Sequence, residues 1–378
     1  MHARVALRRP SIRSAFGNDW QQVIASLASP PPLQAPPWPD AHTLGIEGVR
    51  AAGEPDLKSL GLDRKLSRTM EKQSRLMLAA AADTAGIAEV EQRAQTGLYL
   101  GLPMVDEPIP TWSALQNWHE DGRRTPFGVH LQRETPPFSG LSMLNSSAAA
   151  HIASTLRISG SLAVYSAFAD AGLNALIDGA CAVAEGDCDE ALVGAVSPKL
   201  DPLLPVQLAA WDLSPARLPP AEAAGCVMLE HAAAEDDVLL LGYARGFERH
   251  RLQGEEVLGS LIDAALAMAS RRNEDIGWLL YSAPWHSAQV VALGRVLDAR
   301  WQLDTPPRFA VERVFGRLGP AAALVAANLA VTGLREGRCW SSNGRAAEAR
   351  PLVARNALVI TLAPLGQCAV AVLGGGDA

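Results

Sequence analysis

The feature that most constrains the fold is a series of short apolar segments that alternate with helical segments and run through the chain twice. In the first run, GSLAVYSA predicts a strand, ADAGLNALIDGACAVAEGD a helix, and EALVGAVSP a second strand. Near residue 251 the series restarts with the helix EEVLGSLIDAALAMASRR, the strand IGWLLYSAP and the helix SAQVVALGRVLDARW. Apolar strands that alternate with helices are typical of a sheet covered on both faces. The sequence therefore predicts an α/β fold with two related halves, residues 1–250 and 251–378.

Composition agrees with a large folded chain and excludes several classes of function. The 378 residues exceed an ordinary single domain, and 48% of them are hydrophobic against 19% charged. A net charge of −7 argues against a nonspecific nucleic-acid binder, which needs many basic contacts to phosphate. The apolar runs are interrupted too early for a membrane span. The odd count of 5 cysteines and the absence of a signal-peptide core favour the reducing cytoplasm.

The central strand, turn and helix carry a family resemblance. The stretch GSLAVYSAFADAGLNALIDGACAVAEGD resembles the nucleophile elbow of β-ketoacyl-acyl carrier protein synthases, in which a strand ends in Thr-Ala-Cys before a helix. Four further segments resemble that family in the same order, namely AFGNDWQQVIASL, PAEAAGCVMLE, FGRLGPAAALVAANLAVTGLREG and LAPLGQCAVAVL. The resemblance implies the thiolase fold, a duplicated five-layered αβαβα arrangement that dimerises through its core strands.

The residues at the family's catalytic positions differ from those that the chemistry needs. A ketosynthase uses a thiolate to hold the acyl chain and two histidines to assist decarboxylation and stabilise the oxyanion. Phe168 stands where the resemblance places the cysteine, and Pro284 and Arg317 stand at the two histidine positions. The supporting lysine falls near Glu312, and no lysine follows Lys199. No shift of register rebuilds the catalytic set.

These losses resemble the chain length factors, degenerate ketosynthases that pair with an active one. The resemblance implies a non-catalytic subunit of a heterodimer, with acyl carrier protein as a second partner and no cofactor or metal. Phe168 replaces the Gln that aromatic polyketide systems carry, which favours reducing type II systems such as those that make aryl polyenes. Two alternatives remain: a diverged acyltransferase that uses Ser166 or Asp170, and a homodimer that binds acyl chains without chemistry.

Two further groups of residues are candidates for interaction surfaces. A basic stripe at helical spacing is predicted either to face solvent or to receive the acidic carrier protein; it consists of Arg64, Arg68, Lys72 and Arg75. The insertion at residues 105–137 and the residue after it resemble the region that crosses the dimer interface. Its bulky residues are predicted to pack there or to close the partner's acyl tunnel, with Trp112 the first choice; they are Trp112, Leu115, Trp118 and Phe138.

Single polar residues have simpler interpretations. Arg317 is expected to bond main-chain carbonyls or a carboxylate such as Glu312 or Asp304. His286 is interpreted as a residue at a helix start or on the surface, with a displaced catalytic histidine as the alternative. The acidic run from Glu185 to Glu190 lies on a predicted turn without a nearby histidine, and the cysteines lack zinc-site spacing. No metal site is expected.

Overall fold

The computed structural model describes most of the chain. The residues described are 4–38, 41–60, 69–86, 93–103, 109–135, 137, 140, 144–201, 204–206, 218–234, 236–248, 255–283, 287–302 and 305–375. The helices within these ranges are α1 (Trp20–Leu27), α2 (Lys72–Ala85), α3 (Ile109–Glu120), α4 (Phe127–Glu134), α5 (Asn145–Leu156), α6 (Ala169–Glu185), α7 (Glu255–Met268), α8 (Ser287–Arg300), α9 (Val311–Phe315) and α10 (Ala321–Glu336).

The strands repeat one topology in the two halves of the sheet. They are β1 (Val5–Ser14), β2 (Thr96–Gly101), β3 (Leu162–Tyr165), β4 (Glu190–Val196), β5 (Ala223–His231), β6 (Val238–Phe247), β7 (Trp278–Ser282), β8 (Arg308–Ala310), β9 (Arg338–Asn343), β10 (Ala346–Pro351), β11 (Asn356–Leu362) and β12 (Gln367–Gly375). Ten of those described form one sheet in the order β3-β2-β4-β5-β1-β6-β12-β11-β7-β8, and β9 pairs with β10 separately. When the separate pair β9 and β10 is left out, and strands are counted from β1 in one half and from β6 in the other, each half has the strand order 3-2-4-5-1.

This repeated order is the structural form of the duplication that the sequence predicts. The two halves meet where β1 pairs with β6 at Ala6 and Leu239. The repeat of strand order starts at Val238, at the beginning of β6. The division into domains at residues 250 and 251 stays a prediction.

Alternate side chains of the buried strands point into different cores, which creates the layers. Val193 of β4 and Leu280 of β7 share one core with α6 and α10, so these two helices lie between the halves of the sheet. The preceding residues point the other way: Leu192 packs with α2 and α5, and Leu279 packs with α7 and α8. The result is the five-layered αβαβα thiolase fold, with strands buried on both faces.

Most of the predicted strands and helices are present, and the differences have local causes. Residues 109–134 form the helical pair α3 and α4, although the sequence lacks a clean helical period there. Helix α2 begins at Lys72, because Glu71 is extended at its N-cap. Strand β1 continues to Ser14, since β5 pairs with it as far as that residue.

The two central helices cross at a glycine. A Cβ on Gly172 of α6 would lie 2.3 Å from the carbonyl oxygen of Pro320, directly before α10. Gly101 at the end of β2 has a similar restriction, because its Cβ would lie 2.7 Å from the Gly172 backbone. Only glycine allows this close approach. The crossing therefore fixes the start of α6, and with it the elbow, against the start of α10.

Candidate functional site

Phe168 occupies the turn between β3 and α6, where the resemblance places the nucleophile. It is the N-cap residue of α6 in an extended conformation, and its carbonyl oxygen accepts a hydrogen bond from the Ala171 amide at 3.0 Å. The side chain is only 5% exposed and packs against Ala363, which follows β11, and against the partly buried Leu365. The ring fills the elbow with hydrocarbon that cannot form a thioester.

The two alternative nucleophiles, Ser166 and Asp170, both lie at the elbow. The Ser166 hydroxyl donates a hydrogen bond to the Pro103 carbonyl oxygen at 3.0 Å. Asp170 is 6% exposed, and burial raises the pKa of its carboxyl to about 6. Its Oδ1 has no hydrogen-bond partner among the described residues. The elbow therefore holds a partly desolvated acid beside an aromatic ring.

A buried carboxyl, that of Glu312, lies near the place where the sequence resemblance puts the family's lysine. Glu312 of α9 is 2% exposed, and its Oε1 accepts a hydrogen bond from the Ser282 hydroxyl at 2.5 Å. Burial raises the pKa of Glu312 to about 8, although hydrogen bonds from Ser282 and from its own backbone act in the opposite direction. Glu312 is therefore largely protonated at neutral pH, where a lysine carries a positive charge.

Arg317 lies in the turn between α9 and α10, and its side-chain contacts differ from those expected from the sequence. Its backbone bridges to the neighbouring loop, with its amide donating to the Pro219 carbonyl oxygen at 2.8 Å. Within the described residues its side chain makes no hydrogen bond or ion pair, so the predicted bond to Glu312 is absent, and Asp304 lies outside those residues. Burial lowers the pKa of Arg317 to about 10. Gly316 is required before it, since φ is 94° and a Cβ would lie 2.7 Å from the Pro219 oxygen.

The segments that carry the candidate site residues lie close together. The close contact of Gly172 with Pro320 joins the elbow helix to the segment that follows Arg317. The Gln289 side chain of α8 donates to the Ala363 carbonyl oxygen at 3.2 Å, and Ala363 in turn contacts Phe168. The scaffold is thus retained around residues of different chemistry.

Several predicted site residues lie outside the described residues. They are Arg64, Arg68, Phe138, Pro284 and His286. The roles assigned to them from the sequence stay predictions.

The bulky residues of the insertion lie on a helical hairpin, α3 and α4. The Trp118 and Phe127 rings meet edge to face at 5.9 Å, and the Arg123 guanidinium lies 4.9 Å above the Trp118 ring. Trp118 therefore packs within the hairpin itself. Trp112 and Leu115 are half-buried on α3.

The two described members of the basic stripe both have carboxylate partners. The Lys72 ammonium lies 2.6 Å from the carboxylate of Glu222, which is only 3% exposed, and Lys72 opposes the increase that burial causes in the pKa of Glu222. Arg75 pairs with Glu54 at 3.2 Å and donates to the Met70 carbonyl oxygen at 2.6 Å. Sequence reasoning missed both partners.

A surface that the sequence reasoning did not identify is the edge of the sheet at β3. Strand β3 pairs only with β2 among the described strands, so its outer backbone edge faces away from the sheet. Leu162 is 57% exposed and Val164 38% exposed, whereas Ala163 and Tyr165 pack against the main core. Unpaired edges with exposed apolar side chains are typical of strand-to-strand interfaces. The sequence signal that could have indicated this surface is a strand whose apolar residues do not alternate with polar ones.

Comparison with known proteins gives the class of the fold. The family model described as Beta-ketoacyl synthase, N-terminal domain matches residues 49–234. A beta-ketoacyl synthase from Burkholderia phymatum is similar over 99% of this chain and 100% of its own, with a TM-score of 0.75 and 16% identity. The oxazolomycin ketosynthase domain of Streptomyces albus is similar over 100% of this chain and 75% of its own, with a TM-score of 0.76 and 16% identity.

A third solved structure comes from a type II system. It is a type II polyketide synthase acyl carrier protein in complex with its ketosynthase bound to the hexaketide. The match covers 100% of this chain and 100% of the chain compared, with a TM-score of 0.71 and 13% identity. No curated protein matches the sequence significantly. Among the described helices, none combines the length and apolar character that crossing a membrane requires.

The chain thus has the ketosynthase form of the thiolase fold. The family model covers just under half of the chain, and the solved structures, at 13–16% identity, share its fold.

Proposed function

We propose that this chain is the non-catalytic, chain-length-determining subunit of a cytoplasmic heterodimeric type II ketosynthase. The observation that carries the proposal is Phe168, a buried aromatic side chain at the elbow of a retained ketosynthase scaffold. In this proposal the partner subunit supplies the cysteine and both histidines for decarboxylative condensation with malonyl units. A reducing system of the aryl polyene type is the pathway class that Phe168 favours.

The edge strand β3 is the proposed contact with the active ketosynthase. Pairing across this edge would satisfy the outer backbone groups of β3 and cover Leu162 and Val164. It would also extend the sheet from one subunit into the other. The acidic carrier protein is proposed to dock on the basic stripe. Arg75, a described residue of this stripe, has a side chain that is 25% exposed, and its ion-pair partner Glu54 is 60% exposed.

A charged edge tests the heterodimer directly. The double variant Leu162→Glu and Val164→Glu places two carboxylates where the partner strand is expected, so co-purification with the co-expressed ketosynthase should decrease at least ten-fold. Val353→Glu, at a side chain 91% exposed, is the matched control and should leave co-purification unchanged. A double variant that co-purifies normally contradicts the proposed edge. A chain that forms only homodimers through this edge supports the acyl-binding homodimer instead.

Trp112 is the proposed determinant of product length. If its indole closes the far end of the partner's tunnel, Trp112→Ala should lengthen the polyene made by the reconstituted heterodimer, while Trp112→Phe should largely preserve the length. Mass spectrometry of the carrier-bound product measures both. An unchanged product distribution in Trp112→Ala removes this residue from the tunnel.

A further inference from the structure

A cavity of about 320 Å³ lies at the C-terminal end of β7, between α9 and the turn that joins β9 to β10. Its volume is at the lower end of the range for small-molecule sites, about 300–1,000 Å³. The described residues that line it are Leu218, Tyr281, Ala283, Val290, Ala310, Glu312, Arg313, Gly344 and Arg345. It lies on the far side of β7 from the main core, which contains Leu280 but not Tyr281.

Two exposed arginines without ion-pair partners line the mouth of this cavity. Neighbouring arginines are neutralised: Arg308 pairs with Asp298 at 2.6 Å and Arg338 with Glu336 at 2.8 Å. Among the described residues, neither Arg313 nor Arg345 has such a partner, although both are exposed. Their guanidinium groups therefore give the opening a positive potential.

The surrounding charges strengthen this potential. Burial, with a smaller contribution from the positive charge of Arg345, lowers the pKa of Arg50. Arg50 is 4% exposed and donates to the Pro31 carbonyl oxygen at 2.7 Å. An anion at the mouth would lower the repulsion between these like charges.

The interior of the cavity suits a hydrocarbon tail. Leu218, Ala283 and Val290 supply apolar surface, and Ala310 adds a further methyl group. Glu312, the acidic residue in the wall of the cavity, is buried and accepts a hydrogen bond from the Ser282 hydroxyl. Since burial raises its pKa to about 8, it carries little negative charge at neutral pH and does not repel a bound anion.

We infer that this cavity binds an amphipathic carboxylate, with its apolar tail against Leu218 and Val290 and its head group between Arg313 and Arg345. Arginine recognises carboxylates through paired N–H donors, and burial of methylene groups supplies the remaining affinity. The inference depends neither on catalysis nor on a partner subunit, so it stands or fails independently of the proposed function.

Calorimetric titration of the full-length protein with octanoate at pH 7 and low salt tests the inference. Saturable binding is expected, about ten-fold weaker in the double variant Arg313→Gln and Arg345→Gln. Octanamide, which has the same tail without the charge, should bind the unaltered protein about as weakly as octanoate binds the double variant. Val290→Trp, which fills the cavity with an indole, should weaken octanoate binding while both arginines remain.

The control substitution is Arg355→Gln, an exposed arginine that is not among the described lining residues. It should leave the octanoate affinity unchanged. Three results overturn the inference: no saturable binding of octanoate, equal affinity in the double arginine variant, or an equal loss in Arg355→Gln. All of these arginines are exposed, so the variants are expected to fold.

Discussion

Replacing Glu312 by Gln is expected to prevent the loss of stability that ionisation of this buried carboxyl causes between pH 5 and pH 9. The native pKa of about 8 lies above the ordinary value of 4.5, because burial disfavours the charged form. Below pH 4.5 the carboxyl is neutral in both states and costs nothing. As the pH rises toward 8, the unfolded chain releases this proton first, so the free energy of unfolding falls by up to about 1.4 kcal/mol per pH unit.

Above pH 8 Glu312 is ionised in both the folded and the unfolded chain. The total fall in the free energy of unfolding is then on the order of 5 kcal/mol. Glutamine keeps an acceptor for the Ser282 hydroxyl but does not ionise, so Glu312→Gln should be nearly neutral at pH 5 and stabilising by several kcal/mol at pH 9. Urea unfolding curves across this range measure the effect. Glu120→Gln, at an exposed glutamate, is the control. If the free energy of unfolding depends on pH equally in Glu312→Gln and in the unaltered chain, Glu312 does not have the raised pKa described above.

Truncation of Phe168 is expected to lower the free energy of unfolding by about 3 kcal/mol, in the range measured for buried phenylalanines. The ring is 5% exposed and packs on Ala363, so Phe168→Ala leaves a cavity at the elbow. Phe247→Ala removes the same ring at a position 57% exposed and should cost less than about 1 kcal/mol. Denaturation midpoints compare the two variants, and equal losses would contradict the packing role of Phe168.

A second substitution of Phe168, by cysteine, tests catalysis separately from packing. Phe168→Cys places a thiol at the start of α6, but Pro284 and Arg317 still stand where the resemblance places the two histidines. The variant is therefore expected to decarboxylate no malonyl unit and to condense nothing alone. Condensation by isolated Phe168→Cys would mean that another group supplies the missing base.

The local sequence patterns predicted the layers because each buried strand and each helix carries its own apolar period. LAVY and EALVGAV are short apolar segments between helices, and they form β3 and β4 as expected. The hairpin of α3 and α4 was not predicted, since Trp118 packs on Phe127 locally and no continuous apolar stripe faces the main core.

At the candidate site, the resemblance indicated which residues stand at the family's catalytic positions, but not what those residues contact. Phe168 was placed at the elbow by resemblance, whereas its packing on Ala363 joins distant parts of the chain. The Lys72–Glu222 pair spans 150 positions, so no local pattern indicates that the predicted docking lysine already has a buried carboxylate partner. The raised pKa of Glu312 likewise depends on burial, which the sequence around α9 does not show.

The most direct test of the central claim is malonyl consumption on acyl carrier protein, measured for the isolated chain and for the chain co-expressed with an intact ketosynthase. The account predicts no condensation by the isolated chain, and condensation to a product of defined length by the pair. Condensation by the isolated chain would contradict the account.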